Sequence, residues 1–191
     1  DSIYFSESTP NSQTKLWHQL SLQQRNYEAQ VTEQIRPDYS INQKYPNVKS
    51  EWEFNSGCTI GSSAIVKANS VFIGDASGYF YSLSLSDGSV NWKYKTQNAI
   101  YSTPAVKCKS VVFGSVDSSI YCLNSENGNL VWKFKTNAAV LGSPIVEDDI
   151  VFIGGSDRTF FALDLETGKL VWEFKGLNGF VETKPVLYDN K

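Results

Sequence analysis

Beyond about residue 50 the apolar positions fall in short runs rich in Val, Ile, Phe and Tyr, broken by clusters of Gly, Asp, Asn and Ser. That pattern predicts strands joined by turns and leaves little room for helix. Runs such as Val71-Phe72-Ile73-Gly74 and Phe80-Tyr81-Ser82-Leu83 put apolar side chains on both faces of a strand, so each small sheet needs cover on both sides. The pattern is also periodic. Trp52, Trp92, Trp132 and Trp172 follow one another at intervals of 40 residues, inside the phrases EWEF, SLSLSDGSVNWKYKT, YCLNSENGNLVWKFKT and FALDLETGKLVWEFKG. A second phrase stands upstream each time, as SVFIGDASGYFYSL, SVVFGSVDSSIYCL and IVFIGGSDRTFFAL, and the units are joined by TIGSSAIV, IYSTPAVK and VLGSPIVE.

Each unit therefore reads as four antiparallel strands. The first ends near Val66, Val106 or Val146, the second reaches Gly74, Gly114 or Gly154, the third runs through Leu83, Leu123 or Leu163, and the fourth carries the tryptophan. Four-stranded units that bury both faces against their neighbours describe an all-β fold, a β-propeller segment. Its repeats occupy residues 51–191, as units of about 52–92, 92–132 and 132–172 and a partial unit at 173–191. Gly88, Gly128 and Gly168 follow Asp87, Asn127 and Thr167, where a tight turn wants positive φ. Trp52, Trp92, Trp132 and Trp172 are expected to wedge between adjacent blades. Each ring would remove about 150–250 Å² from water, an upper bound of about 4–6 kcal/mol per site.

Residues 1–50 break the period. Leu16, Leu20, Tyr27, Val31 and Ile35 predict an amphipathic helix over about 13–35, followed by the extended linker RPDYSINQKYPNV. Two roles stay open for this segment: a cap on the exposed blade, or the tail of a preceding domain. At the other end GLNGFVETKPVLYD restarts a first strand, with one extra residue before Pro185. A ring of seven or eight such blades needs about 280–320 residues, so the chain is expected to be a fragment. Its open blade ends should then self-associate, hold a protein partner, or be covered by the first 50 residues.

The stretch ALDLETGKLVW resembles the tryptophan-docking motif of the PQQ-like β-propeller repeats, a family named after the pyrroloquinoline quinone dehydrogenases. The match is close at Ala162, Asp164, Thr167, Gly168 and Trp172. In the other units Ser82 and Cys122 stand for the alanine, Ser84 and Asn124 for the aspartate, and Asp87 and Asn127 for the threonine. The resemblance covers about residues 52–188 and implies the propeller fold. It also implies a periplasmic or otherwise extracytoplasmic bacterial setting. Similar repeats occur in outer-membrane assembly lipoproteins, which hold protein partners, in quinone dehydrogenases, and fused to hydrolases such as metallophosphoesterases.

Charge and candidate chemistry narrow these options. A net charge of −3 and a pI near 5.2 provide no basic field for a phosphate backbone, so nucleic acid is not an expected partner. No apolar run is long enough to predict a transmembrane segment. Cys58, Cys108 and Cys122 are odd in number and lack metal-ligand spacing, so they read as small packing residues. Cys108 and Cys122 are expected on the first and third strands of one unit, about 9–10 Å apart and too far to bridge. His18 is the single histidine, which leaves no catalytic triad or zinc set to build, and there is no Walker loop. The quinone dehydrogenases that these repeats resemble use vicinal cysteines, and this chain has no adjacent pair.

The chain is thus expected to be non-enzymatic, with no catalytic, cofactor or metal residues. It reads as a binding or assembly scaffold within a larger protein. Two alternatives stand beside that reading: the accessory C-terminal propeller of a hydrolase such as a metallophosphoesterase, and a fragment of a quinone-dependent dehydrogenase. Loops between units should share a face with those joining second and third strands, which makes Gln97, Asn98, Asp117, Asn137, Asp157, Arg158 and Asn178 the candidate binding rim. Lys93, Lys95, Lys133, Lys135 and Lys175 mark the fourth strands as outer edges, where charge discourages edge pairing.

Overall fold

The structure is a computed structural model that describes residues 50–186. The helix expected over 13–35, its linker and His18 lie outside the described residues, as does the end of the partial unit.

Among the described residues, β-branched and aromatic runs form twelve strands in three four-stranded antiparallel sheets, each in sequence order. The first blade comprises β1 (Ile65–Lys67), β2 (Ser70–Gly74), β3 (Tyr79–Ser84) and β4 (Val90–Lys95). The second comprises β5 (Ala105–Lys107), β6 (Ser110–Ser115), β7 (Ser119–Asn124) and β8 (Leu130–Lys135). The third comprises β9 (Ile145–Glu147), β10 (Ile150–Gly154), β11 (Thr159–Asp164) and β12 (Leu170–Lys175). The expected strand scheme is the one observed, apart from two segments: 51–54 and 181–186 form no strand.

A two-residue turn joins the first and second strands of each blade. It places Ala68, Cys108 and Asp148 at positive φ. Cys108 therefore lies in a turn and is exposed, not on a strand and not packing, and Cys58 is exposed too. Only Cys122 fills the core role expected of the cysteines, and burial pushes its thiol up to about 11.

Neighbouring blades meet through their first strands, β1 with β5 and β5 with β9, so the sheets fan out from that edge. A relay of hydroxyls runs along it. Ser63 N donates to Thr103 Oγ1 at 3.2 Å and Thr103 N donates to Ser143 Oγ at 3.0 Å, each bond reaching one repeat ahead. The core lies between blades. Phe72, Phe80 and Ile100 pack with Val111, Phe113 and Tyr121, and Val112, Ile120 and Trp132 pack with Val151, Phe161 and Leu163. Phe80 and Phe113 stack across the first gap at 4.1 Å between centroids.

The glycine ending each second strand serves this packing. A Cβ on Gly74 would sit 2.4 Å from Ile100, one on Gly114 2.4 Å from Val140, and one on Gly154 2.1 Å from Val181. Ile100, Val140 and Val181 stand at the same distance before Pro104, Pro144 and Pro185, so the extra residue of the last unit is absorbed between Gly176 and Val181.

Candidate functional site

The repeated contact is the one between blades at each tryptophan. Every fourth strand carries a bulge opposite the third, so that Trp92, Trp132 and Trp172 pair with Ser82, Cys122 and Ala162 while the next residue in the ladder is skipped. The small residue across the ladder leaves room for the indole on that face, which is why the motif wants alanine or its like there. The ring then reaches into the following blade. Trp52, Trp92 and Trp132 donate Nε1–H to the carbonyls of Leu85, Ser125 and Leu165, at 2.9, 3.1 and 2.7 Å, each 33 residues ahead.

Three residues past each acceptor stands the turn glycine. Gly88, Gly128 and Gly168 have φ of +71°, +74° and +69°, as expected, but they meet the tryptophan of the preceding unit, not their own. A Cβ on any of them would lie 2.5–2.6 Å from that ring. A second aromatic follows two residues after the tryptophan and also crosses the gap. Phe54 meets Tyr81 at 5.0 Å, Tyr94 meets Tyr121 at 5.9 Å, and Phe134 meets Phe161 at 5.6 Å, each edge to face.

The acceptor turn is five residues long, looser than a two-residue hairpin, and is closed by Gly88, Gly128 and Gly168 N donating to the carbonyls of Ser84, Asn124 and Asp164. Side chains finish it. Asp164 Oδ1 accepts from Thr167 N at 2.7 Å and from Thr167 Oγ1 at 2.6 Å, and the threonine hydroxyl holds the Asp164 carboxyl below its usual range. In the first blade Asp87 Oδ1 accepts from Ser89 Oγ and N, with the same effect on the Asp87 carboxyl.

Trp172 departs from the series. It packs inside its own blade against Phe152 and Phe160, yet it is 45% exposed and Phe174 is 57% exposed, whereas Trp132 is 8% exposed. The expected wedging of Trp172 between blades is therefore not observed: among the described residues no glycine turn faces it. β12 is exposed along its whole length.

The structure places the candidate rim as follows. The loops between units do contact the loops joining second and third strands, through Val116 N to Ala99 O and Ser156 N to Ala139 O, both 2.9 Å. Gln97 and Asp117 come together, with Gln97 N donating to Asp117 Oδ2 at 3.1 Å. The same oxygen accepts from Tyr121 Oη at 2.6 Å. Asn98 Oδ1 accepts from Ala99 N, and Asp157 Oδ1 accepts from Thr159 N. Arg158 sits at φ +62° in the third blade's loop, exposed, as are Asn137 and Asn178. Several of these polar groups thus hold loops together.

Two pairings escaped sequence reasoning. Asp75 is fully buried, accepts from Ser77 Oγ and Tyr79 N, and takes Tyr81 Oη at 3.1 Å. Burial, then the adjacent Asp75 carboxylate, pushes the Tyr81 phenol up to about 12. Burial and the Asp117 hydrogen bond push Tyr121 higher still. The shared signal is an acidic residue in the loop before the third strand with a tyrosine inside that strand. The third blade has Asp157 but Phe161, and Asp157 Oδ2 is buried without a hydrogen-bond partner. The lysines serve locally: Lys93 and Lys95 lie over the Tyr79 ring, and Lys133 over Tyr121.

Residues 102–185 match the family described as outer membrane protein assembly factor BamB. Among solved structures, the chain is similar to BamB from Moraxella catarrhalis, with 24% identity and a TM-score of 0.66 over 73% of this chain and 44% of that one. It is also similar to the computationally designed Ika4 protein, at 20% identity and a TM-score of 0.67 over 75% of this chain and 89% of that one. A europium-containing methanol dehydrogenase aligns at 21% identity and a TM-score of 0.58, over 64% of this chain and 26% of that one. These likenesses establish the fold. No curated protein sequence matches the chain. The chain spans under half the length of the natural propellers it aligns with, and its three blades form a β-propeller segment.

Proposed function

We propose that this segment is a non-catalytic scaffold that binds a protein partner, as part of a larger extracytoplasmic bacterial protein. The observation that carries the reading is the loop face: Gln97, Asn98, Asn137, Arg158 and Asn178 stand exposed there, and Val116 N to Ala99 O and Ser156 N to Ala139 O tie neighbouring loops together. Exposed polar loops on a rigid scaffold are where recognition usually sits. The indole contacts at Trp52, Trp92 and Trp132 act as a docking motif, holding the array stiff enough to present that face. The family match adds that a partner involved in outer-membrane protein assembly, and a location outside the cytoplasm, fit this reading.

The test is site-specific photo-crosslinking in the producing cell, with the reactive group at position 158 and a control at position 126 on an exposed turn. A defined protein adduct at 158 and none at 126 is the expected result. Equal adducts at both positions, or none at 158, would refute the scaffold reading.

A further inference from the structure

The net charge of −3 conceals an uneven distribution between the two faces of the blades. Turns joining first to second strands, and third to fourth, lie on the face opposite the loops. That face holds the exposed carboxylates Asp87, Glu126, Asp148, Asp149 and Glu166, and its Lys107 and Lys109 are tied up in ion pairs with Asp149 and Glu126, at 3.4 and 3.1 Å. The loop face is the reverse. Between residues 55 and 158 its exposed charges are Lys95, Lys135 and Arg158. Its carboxylates are turned inward: Asp75 is fully buried, and Asp117 and Asp157 each have one carboxylate oxygen buried without a partner. An approaching molecule therefore meets ammonium and guanidinium groups first.

These cations are held in place. Lys95 Nζ donates to Ser77 O and lies 4.1 Å from the Tyr79 ring centroid, and Lys135 Nζ donates to Asp117 O at 2.7 Å. The next residue of each strand end closes the same loop, Thr96 N donating to Gly78 O and Thr136 N to Ser118 O. Lys135 has a blade on either side of it, so its exposure does not arise from a chain end. Arg158 is held differently. It occupies the left-handed position of the third loop, at φ +62°, where the first blade has Gly78 and the second Ser118. A side chain is disfavoured there, and among the described residues Arg158 forms no ion pair to offset it. The loop that carries it is anchored: Ser156 N donates to Ala139 O and Gly155 N to Thr159 O, both at 2.9 Å, and Asp157 Oδ1 accepts from Thr159 N at 3.1 Å. Backbone strain kept at an exposed cation on an anchored loop points to binding.

We infer that the loop face takes an acidic segment of a protein, with Arg158 as its anchor and Lys95 and Lys135 as further contacts. A guanidinium offers a carboxylate two parallel hydrogen bonds, and each lysine keeps N–H groups beyond the one given to its loop carbonyl. Gln97 and Asn137 stand exposed on the same face. Their amides both donate and accept, which suits peptide groups, whereas phosphate oxygens only accept. Separate cations on a chain of net charge −3 also fall short of the basic stripe that a phosphate backbone needs. The inference rests on the proposed reading that the loop face binds a protein, and it names that partner's chemistry.

Fluorescence anisotropy on the full chain, with a labelled oligoglutamate peptide as the probe, tests it. The wild type should bind with a Kd below about 1 mM at low salt and lose affinity as salt is raised. Arg158→Glu should weaken binding by about tenfold or more. Lys169→Glu makes the same change in net charge on the opposite face and should leave binding within about twofold of the wild type. Arg158→Gly separates binding from folding. Glycine suits this left-handed position as it does at Gly78, so the variant should keep the wild-type sheet signal in circular dichroism yet bind about tenfold more weakly. Equal losses in Arg158→Glu and Lys169→Glu, or an Arg158→Gly that binds as the wild type does, overturn the inference. An oligothymidylate bound more tightly than the peptide overturns it in favour of phosphate. No peptide binding overturns it as well, while a protein adduct at position 158 in the cell would still uphold the scaffold.

Discussion

Trp132 Nε1 donates to Leu165 O at 2.7 Å, and its ring covers Gly168 so closely that a Cβ there would sit 2.6 Å from the indole. One glycine thus meets two demands. Its φ of +69° closes the turn of the third blade, and its missing side chain admits the tryptophan of the second. The four-residue spacing between this glycine and Trp172 is a consequence of hairpin geometry, whereas the contact that stabilises the array reaches back a full repeat.

Gly168→Ala should therefore cost more than a left-handed alanine alone. The backbone penalty is about 1 kcal/mol, and displacing the indole adds about 1–3 kcal/mol. Gly176 is the control, since its φ is +89° and nothing lies within 4 Å of its Cβ position. Urea unfolding of the two variants should show Gly168→Ala losing clearly more stability than Gly176→Ala. Equal losses would mean that the turn conformation matters and the ring does not.

The tryptophans should separate by the cover each one has. Trp132→Ala removes a ring that is 8% exposed and should cost about 3–5 kcal/mol. Trp172 is 45% exposed and packs on Phe152 and Phe160 of its own blade, so Trp172→Ala should cost about 1–2 kcal/mol. Matched losses in a denaturant series would show that indole packing within a blade outweighs packing between blades.

The sequence made the blades readable because strands of period two, turn glycines and the tryptophan interval all encode the same repeat. Strand ends at Gly74, Gly114 and Gly154 were legible for that reason. What those glycines touch was not, since Ile100, Val140 and Val181 come from the next repeat and no local pattern couples them. The rim residues illustrate the other loss. Asp117 looks like a solvated turn residue, but in space its carboxylate holds Gln97 N and Tyr121 Oη. Segment 51–54 carries strand chemistry without a neighbouring strand among the described residues to pair with, so it seats by side chains alone.

Comparing blades predicts a stabilising change. Tyr121 Oη satisfies Asp117 Oδ2 at 2.6 Å, while Phe161 at the equivalent place leaves Asp157 Oδ2 buried and unpaired. Phe161→Tyr should supply the missing donor and raise stability by about 1 kcal/mol, the usual net worth of one hydrogen bond. Thermal unfolding reads this directly, and the double variant Phe161→Tyr, Asp157→Ala should lose the gain. A destabilised Phe161→Tyr would mean that the third blade cannot seat the hydroxyl.

The tyrosines also set an alkaline limit on the fold. A free phenol ionises near pH 10, whereas Tyr81 in the folded chain is raised to about 12 and Tyr121 is raised further, through burial and their Asp75 and Asp117 neighbours. With folded values above the unfolded one, the unfolded chain loses these protons first as pH rises. The contribution of both groups is then complete below about pH 10 and is lost progressively as pH climbs toward the folded values. The midpoint of urea unfolding should accordingly hold steady up to about pH 10 and fall beyond it. Tyr81→Phe with Tyr121→Phe starts less stable, because Asp75 and Asp117 each lose a donor, but its midpoint should decline less steeply through the same interval. Parallel declines in the two proteins would assign the alkaline loss to other groups.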